Sequence, residues 1–300
     1  MGRNLWMSVD EMGMEEKPQN SKSQKPKMYS RVDLHVHSTA SDGRKTPAEV
    51  VALASARKIK LIALTDHDTT HGYAEAKAKG GSLGVNVIAG AEINTDSAMG
   101  EAHLLGYFAN PDQPDLQASL KVLHEKRLAR ANEIIEKLSK VGVKITLEQA
   151  RGGHADTVVT RAHIAQALVT GGFAANKSAA FELYLGRGQP AYVPRYAFDP
   201  KQAIDLIRSA GGIVSLAHPV RSGNVGRLPE LARLGLQAVE VYYYGHTSEE
   251  VAGLKMLADQ FGLLRTGGSD FHEERPDGFR NLGSVWVPEA EGERLWELAK

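Results

Sequence analysis

Residues 33–43 read DLHVHSTASDG, and this stretch decides the fold of the chain. Apolar and polar residues alternate as far as His37, which predicts a β-strand that runs out into a polar loop. Side chains two positions apart leave the same face of a strand, so His35 and His37 should point the same way and could chelate one cation. Asp42 follows on the loop, where Gly43 permits a sharp turn. The rest of the chain can be searched for further ligands of that cation.

The composition excludes several classes of protein. The chain has 300 residues, enough for a large barrel with an insertion, and 42% of them are hydrophobic. Basic and acidic residues number 36 each, so bulk positive charge cannot drive the coating of nucleic acid. The sequence has no cysteine, which excludes disulfides, thiolate metal sites and cysteine nucleophiles. Any metal ion must therefore bind histidine, aspartate and glutamate.

Residues 1–28 are polar and irregular. We expect them to form a disordered tail rather than a signal peptide, because they contain no continuous apolar segment. No apolar run in the chain approaches the roughly 20 residues that span a bilayer. These features predict a cytoplasmic protein without membrane association, and nothing in the sequence indicates an obligate protein partner.

From residue 29 onward, short apolar strands alternate with helices. Thr46, Pro47 and Glu49 mark one helix start, since threonine can cap a helix, proline suits its first position and glutamate completes a capping box. The predicted strands are residues 32–36, 60–65, 85–90, 102–108, 213–217, 238–242 and 263–266. This alternation is typical of a parallel α/β barrel.

The alternation pauses in the middle of the chain. Residues 110–193 carry apolar residues at helical spacing instead, most clearly over residues 116–141. We therefore predict a discontinuous barrel made of residues 29–109 and 194–300. Residues 110–193 should form a helical insertion that covers the active site.

Groups that bind metals cluster at the ends of the predicted strands. His67, Glu92 and His218 each follow a strand, and so do two close pairs of residues. In a parallel barrel these ends converge on one face, where active sites form. The only exception is His103, which begins its strand. The complete set has nine members: His35, His37, Asp42, His67, Glu92, His103, His218, Asp270 and His272.

Nine such groups in one pocket imply bound cations. Buried carboxylates and imidazoles without partners would cost several kcal/mol, and divalent ions offset that cost. One ion cannot use nine ligands, so we expect two or three. Oxygen and imidazole donors without thiolate suit Mn, Fe or Zn.

Five motifs occur in a fixed order along the chain: the His-x-His of residues 35–37 with Asp42, TDHD at 65–68, GAE at 90–92, AHP at 217–219 and GSDFH at 268–272. Together they resemble the PHP (polymerase and histidinol phosphatase) superfamily. Within it, the chain is similar to the stand-alone phosphoesterases of nucleoside monophosphates and 3′,5′-bisphosphates. The resemblance implies a distorted (β/α)7 TIM-like barrel with a trinuclear metal centre.

The resemblance also implies which residues bind each ion. The first ion would be bound by His35, His37, Glu92 and Asp270, and the second by Asp42, His67 and His272. The third would be bound by His103 and His218, with Glu92 bridging. Many relatives carry histidine where this chain has Asp42, so metal preference is most open at that position.

The implied reaction is hydrolysis of a phosphate monoester by a metal-activated hydroxide. A general acid should protonate the leaving alkoxide, and Asp68 and His218 are the candidates. Asp66 is expected to orient His67.

The substrate needs positive charge beyond the metal site. Arg127 and Arg130 are three apart and share a helix face, and Arg161 lies near another helix start. Arginine forks suit phosphate, although arginines on helices are usually only solvated, and both readings stay open. His246 follows a strand end and is a further candidate for substrate binding. We expect 5′-AMP or a 3′,5′-nucleoside bisphosphate as substrate.

Three alternatives remain at this point. The first is a 5′-3′ exoribonuclease on short RNA, and the second is a histidinol-phosphate phosphatase, against which the helical insertion argues. The third is a metal-binding PHP module without catalysis. Glu240 also lies on a predicted strand, but no motif includes it, and we interpret it as structural.

Overall fold

The computed structural model describes residues 29–153 and 157–300, so the predicted tail of residues 1–28 lies outside the described residues. The strands are β1 Val32–Val36, β2 Leu61–Leu64, β3 Asn86–Thr95, β4 Ala102–Phe108, β5 Ile213–Leu216, β6 Ala238–Tyr243 and β7 Leu264–Gly268. The α-helices are α1 Pro47–Ala56, α2 Tyr73–Leu83, α3 Pro114–Lys140, α4 Leu147–Arg151, α5 Arg161–Thr170, α6 Lys177–Ala180, α7 Pro200–Ser209, α8 Leu228–Leu234, α9 Ser248–Phe261 and α10 Glu289–Ala299. A π-helical turn, Phe181–Leu185, and a 3-10 turn, Val225–Arg227, complete the elements.

The seven strands form one sheet in sequence order, which confirms the predicted barrel. The sheet nearly closes, because Val36 at the end of β1 bridges Phe271 just after β7. Two backbone hydrogen bonds hold this seam: His37 N–H donates to the Phe271 carbonyl at 2.9 Å, and Phe271 N–H donates to the His35 carbonyl at 3.3 Å. The closure brings the two ends of the barrel sequence, each with predicted ligands, side by side.

The sheet departs from the parallel arrangement expected from the alternation of strands and helices at one strand, β4. This strand is antiparallel to both β3 and β5, while the remaining neighbours pair in parallel. The short connection from Thr95 to Ala102 leaves no room for a crossover helix, so the chain turns back as a hairpin. The start of β4 therefore lies at the end of the barrel where the other strands finish. His103, the exception in the sequence pattern, joins the other ligands for this reason.

Local sequence signals account for most helix starts. Thr46 accepts a hydrogen bond from Glu49 N–H while the Glu49 side chain accepts one from Thr46 N–H, the predicted capping box at α1. Equivalent boxes begin α4, α5, α7 and α9. By contrast, α10 was not predicted from the sequence. It packs against the sheet at Gly292, where a Cβ atom would lie 2.7 Å from the Val32 side chain.

Among the described residues there are three apolar cores, and two of them share one helix. The first half of α3 contributes Leu116, Leu120 and Leu123 to the core around the barrel. The second half contributes Ala131, Ile134 and Leu138 to a separate core within the insertion. Thus α3 leaves the barrel between these two sets of contacts. Among the described residues, no helix is long and apolar enough to cross a membrane.

Candidate metal centre

The end of β1 provides the two histidines that opened the sequence. Both His35 and His37 are fully buried, and their Nε2 atoms face each other at 3.2 Å. This confirms that the two side chains leave the same face of the strand. The sequence predicted that Gly43 permits a sharp turn, but the structure shows a different reason for a glycine at this position. A Cβ atom there would lie 2.6 Å from the His37 carbonyl oxygen, so close backbone approach excludes any side chain.

Glu92 lies at the centre of the cluster. It is within β3 and not after its end, because β3 runs five residues further than predicted. One carboxylate oxygen is 2.7 Å from His103 Nδ1 and 3.1 Å from His218 Nε2. The other is 3.2 Å from His37 Nε2 and 3.4 Å from His35 Nε2. The carboxylate therefore lies between two sets of histidines, as a bridging ligand would.

All nine predicted ligands fall into three groups whose ligand atoms lie within 4.8 Å of one another. The groups are His35, His37 and Asp270; His37, Asp42, His67 and His272; and Glu92, His103 and His218. The grouping follows the resemblance closely. It differs in two respects, because His37 belongs to both of the first two groups and Glu92 falls only in the third. The roles of these residues as ligands remain predictions.

The charges in the cluster perturb one another strongly. Burial alone would raise the pKa of Glu92, but His67 and His103 lower it well below its usual value. Burial lowers the pKa of His67 to about 3. Burial also disfavours the charge on His37, yet its hydrogen bonds with Asp270 and Glu92 raise its pKa to about 9. The pKa of one imidazole is thus lowered and the pKa of another in the same pocket is raised, as expected where several ionisable groups face each other.

The cluster fits divalent cations by its donor chemistry. Its donors are imidazole nitrogens and carboxylate oxygens, the set that suits Mn, Fe and Zn. The Nε2 atoms of His35 and His37 face each other, so at most one of them can donate a hydrogen bond to the other. His218 Nδ1 is buried and has no hydrogen-bond partner among the described residues. Metal coordination would satisfy the facing Nε2 pair without a proton between them.

Residues that the sequence reasoning missed hold the ligands from behind. The buried Glu240 accepts a hydrogen bond from His218 N–H at 2.7 Å and lies 3.1 Å from His35 Nδ1. A carboxylate behind a ligating histidine fixes its ring and its tautomer. The structural interpretation of Glu240 was therefore incomplete. A signal was present, since a glutamate in the apolar run AVEVY must be buried with a partner.

Asp270 is held from two sides. Tyr243 donates a hydrogen bond to its carboxylate at 2.7 Å. Arg280 pairs with the same carboxylate and donates to the Asp270 carbonyl at 2.8 Å. No periodicity or motif in the sequence pointed to Arg280, which lies on a loop and acts through tertiary contact.

The expected role of Asp66 is wrong. Its carboxylate accepts hydrogen bonds from the backbone and hydroxyl groups of Ser38, at 2.8 and 2.7 Å, and of Ser41, at 3.1 and 2.6 Å. Asp66 thus fixes the loop that leads to Asp42. His67 Nδ1 instead lies 3.1 Å from Glu92 and 3.4 Å from Asn94.

Backbone strain is concentrated at the same end of the barrel. Asp68, His218 and Asp270 have positive φ values of 51°, 31° and 52°. Such conformations cost of order 1–3 kcal/mol each and often occur at functional sites. Of the two general-acid candidates, Asp68 already accepts hydrogen bonds on both oxygens, from Arg127 at 2.5 Å and from Asn94 N–H at 3.3 Å.

The insertion reaches the cluster through its loop before α5. Thr157 donates a hydrogen bond to the Thr39 carbonyl at 2.7 Å, and Val158 N–H donates to the Ala40 carbonyl at 3.1 Å. Thr160 donates to the Asp42 carboxylate at 3.3 Å. These contacts bring one edge of the insertion against the loop that carries a predicted ligand.

The three arginines predicted to bind substrate lie together, with a fourth that the sequence did not reveal. Burial and the nearby charges of Arg161, Arg195 and Arg127 together lower the pKa of Arg130 to about 10. Arg127 pairs with Asp68, and Arg195 pairs with Glu101 at 2.6 Å. We call Arg127, Arg130, Arg161 and Arg195 the arginine cluster. Mutual repulsion of this kind is relieved by an anion.

The individual arginines differ in how many hydrogen bonds their guanidinium groups already make. Arg130 donates two hydrogen bonds to the Val193 carbonyl, at 3.0 and 2.7 Å, and so ties α3 to the loop that leaves the insertion. Arg161 lies over the Phe181 ring at 5.6 Å. Their role in substrate binding stays a prediction.

His246 occupies a different environment. Its Nδ1 lies 3.0 Å from the Val241 carbonyl, and its ring contacts Tyr243. It lines a cavity of about 430 Å³ that includes none of the nine predicted ligands. The structure therefore gives no contact between His246 and the metal cluster, and its role in substrate binding remains a prediction.

A barrel that carries a cluster of histidines and carboxylates at one end is typical of metal-dependent hydrolases, and known proteins of this kind resemble the chain. The PHP domain family model matches residues 33–185. A 5′-3′ exoribonuclease of Haemophilus influenzae is 37% identical over 261 residues, covering 85% of this chain and 94% of the relative. A 3′,5′-nucleoside bisphosphate phosphatase of Chromobacterium violaceum is 34% identical, covering 85% of this chain and 91% of the relative.

Solved structures agree with this assignment. A predicted metal-dependent phosphoesterase of Bifidobacterium adolescentis superposes with a TM-score of 0.81 at 28% identity, covering 90% of this chain and 96% of that one. An amidohydrolase of Chromobacterium violaceum, with bound sulfate and no metal, gives a TM-score of 0.78 at 32% identity, covering 89% and 97%. The chain belongs to the PHP domain family, as its five motifs predicted. It is a phosphoesterase of that family, and its site is built to bind divalent metal.

Proposed function

We propose that this enzyme hydrolyses phosphate monoesters of small nucleotides, 5′-AMP or a 3′,5′-nucleoside bisphosphate. One observation carries the proposal: the arginine cluster lies beside the metal cluster. Arg127 bonds to Asp68, the neighbour of His67 in the chain, and Arg195 pairs with Glu101, two residues before His103. A 3′,5′-nucleoside bisphosphate would fit this arrangement with one phosphate at each cluster, whereas 5′-AMP would place its single phosphate at the metal cluster.

The metal cluster would hold two or three divalent ions, Mn, Fe or Zn, on the three groups of residues described above. When bound, such ions lower the pKa of a water molecule and offset the charge of the phosphoryl group. Among the chain's own groups, Glu240 orients His35, while Tyr243 and Arg280 fix Asp270. Asp68 and His218 remain the candidates to protonate the leaving oxygen.

The arginine cluster would bind the part of the substrate away from the scissile ester. Arg127 carries a buried Nη2 atom without a hydrogen-bond partner among the described residues. Guanidinium groups bind phosphate with paired hydrogen bonds, so this free group favours an anionic ligand. The insertion, residues 110–193, would cover the substrate. We expect the enzyme to act in the cytoplasm, without an obligate protein partner.

A second candidate is a 5′-3′ exoribonuclease that acts on short RNA. The Haemophilus influenzae relative bears that name, and so does a relative from Escherichia coli that is 36% identical. The formal net charge of zero disfavours long strands, but a local groove could still bind a short one.

The test is a kinetic comparison of metal-supplemented protein on 5′-AMP, 3′,5′-adenosine bisphosphate, a 5′-phosphorylated oligoribonucleotide and histidinol phosphate. We expect the highest kcat/KM on one of the two nucleotides. Failure to hydrolyse any of the four above the rate of a His37→Ala variant would contradict the proposal. Elemental analysis of the same protein should give at least two equivalents of divalent metal.

A further inference from the structure

A large cavity lies at the opposite end of the barrel from the metal cluster, and we call it the basal cavity. Arg31, Lys60 and Val85 line it, and each immediately precedes one of the parallel strands β1, β2 and β3. His35 and His37 lie at the other end of β1. The volume of about 670 Å³ is in the range of pockets that hold small molecules. None of the nine predicted ligands and no member of the arginine cluster lines the basal cavity, so it is separate from the site of the proposed reaction.

Part of the lining of the basal cavity is apolar and faces water. Trp286 and Leu83 both line it, and they are 59% and 37% exposed. Tyr29 and Val85 add further apolar atoms. A ligand that covered Trp286 and Leu83 would remove apolar surface from water, which favours binding. The basal cavity is therefore suited to hold an apolar group.

The basal cavity is also cationic, because no carboxylate lines it among the described residues, whereas four basic residues do: Arg31, Arg57, Lys58 and Lys60. Two of these charges already have partners. Arg57 donates a hydrogen bond to the Glu274 carboxylate at 3.0 Å. Arg31 lies 3.6 Å from Glu289, in a half-exposed pair of the kind that contributes little.

Lys58 and Lys60 provide positive charge that is not neutralised. Both are exposed, and neither forms an ion pair in the described part of the chain. Lys58 has a φ of 61° just after the end of α1, a position and conformation where helices commonly have glycine. The C-termini of α1 and α2 lie at this end of the barrel, and each contributes roughly half a negative charge. The two lysines exceed that charge, so a net positive charge remains for a ligand.

We infer that the basal cavity binds a small amphipathic anion, a molecule with an apolar body and one anionic group. The apolar body would contact Trp286 and Leu83, and the anionic group would contact Lys58 and Lys60. A neutral molecule would leave the lysines without a partner, and an ion without an apolar body would leave Trp286 exposed. The inference does not depend on the proposed function, because neither the metal cluster nor the arginine cluster takes part in it.

The first test compares matched ligands on the full chain by isothermal titration calorimetry. Decanoate and 1-naphthoate represent an aliphatic and an aromatic source of the anion, and decanamide and 1-naphthamide are their neutral counterparts. We expect at least one of the two anions to bind with one molecule per chain, roughly tenfold or more tightly than its amide, because only the anion pairs with the lysines. Equal affinities for anion and amide, or no binding of either anion, would overturn the inference.

The second test locates the ligand. Lys58→Ala combined with Lys60→Ala, the basal variant, should weaken binding of the anion roughly tenfold and leave binding of the amide unchanged. Trp286→Ala should weaken binding of both. The control is Lys121→Ala combined with Lys144→Ala, which removes the same charge from exposed positions outside the basal cavity. Equal losses in the basal variant and the control would show that only net charge matters, and the inference would be wrong.

Two further measurements separate a lost ligand site from a damaged fold. Lys58→Arg combined with Lys60→Arg keeps both charges and should retain the affinity of the parent for the anion. The basal variant should also keep the kcat/KM of the parent on 3′,5′-adenosine bisphosphate, because the basal cavity lies at the far end of the barrel. A parent protein that does not hydrolyse this nucleotide would count against the proposed function, while calorimetry would still decide whether the basal cavity binds the anion.

Discussion

The end of the barrel and the insertion both contribute charged residues to this site, but they place them by different means. The nine predicted ligands lie on or just after strands and turns of a single sheet, where neighbouring strands fix their spacing. In the arginine cluster, Arg127, Arg130 and Arg161 lie on two helices of the insertion and Arg195 lies on the loop that follows it, so the cluster depends on how the insertion packs against the barrel. Thr160 joins the two regions by donating a hydrogen bond to Asp42. The comparison suggests that the barrel determines the chemistry and the insertion determines the substrate.

The strongest way to break this comparison is to remove a ligand on the barrel side. His37→Ala should lower kcat/KM by roughly 10³-fold or more, because it belongs to two of the three groups and its loss forfeits several kcal/mol of charge stabilisation. Steady-state kinetics and metal analysis would measure the effect. The exposed His71→Ala is the control. Retention of full activity and metal by His37→Ala would contradict the assignment.

A smaller effect is expected one step behind the ligands. Glu240→Gln should weaken metal affinity by roughly 10–100-fold, because the neutral amide supports the His35 ring less well. Calorimetric titration of the metal-free protein with Mn²⁺ would measure the affinity. The control is Glu249→Gln, on the exposed face of α9. Equal affinity in both variants would return Glu240 to a purely structural role.

Glycine substitutions test how rigidly the barrel fixes its loops. Gly43→Ala should lower the free energy of unfolding by roughly 1–3 kcal/mol, since its Cβ would meet the His37 carbonyl at 2.6 Å. Gly81→Ala on α2 meets no atom within 4 Å and should instead stabilise the protein by up to about 1 kcal/mol. Urea unfolding would compare them. The close approach at Gly43 would be refuted if both variants were equally stable.

On the insertion side, Arg161→Ala should raise KM for the nucleotide about tenfold and change kcat little, because it would remove a charged hydrogen bond to substrate. Arg161 suits this test because its described contact is with the Phe181 ring, so its loss should disturb the fold less than that of Arg130. Steady-state kinetics against an Arg233→Ala control would decide. A fall in kcat without a change in KM would place Arg161 in the chemistry rather than in binding.

The sequence predicted the barrel side well for physical reasons. Period-two alternation fixed the shared face of His35 and His37, and the rule that active sites form at strand ends gathered the other ligands. The direction of β4 could not be predicted from its amino-acid composition. A strand that is buried on both faces is apolar whether it runs parallel or antiparallel to its neighbours. The missed partners Arg280 and Arg195 are surface-like in sequence, and only tertiary packing brings them to the site.

The two cores joined by α3 limit how the enzyme could be divided. Leu116, Leu120 and Leu123 seal the barrel, although they belong to the helix that carries Arg127 into the insertion. A minimal barrel made by joining residue 109 to residue 194 would leave an open apolar surface where these leucines pack. An excision that begins after Leu123 would keep that surface covered. The insertion is therefore removable as a module only from the middle of a helix, which makes α3 the natural splice point for exchanging substrate-binding lids between relatives.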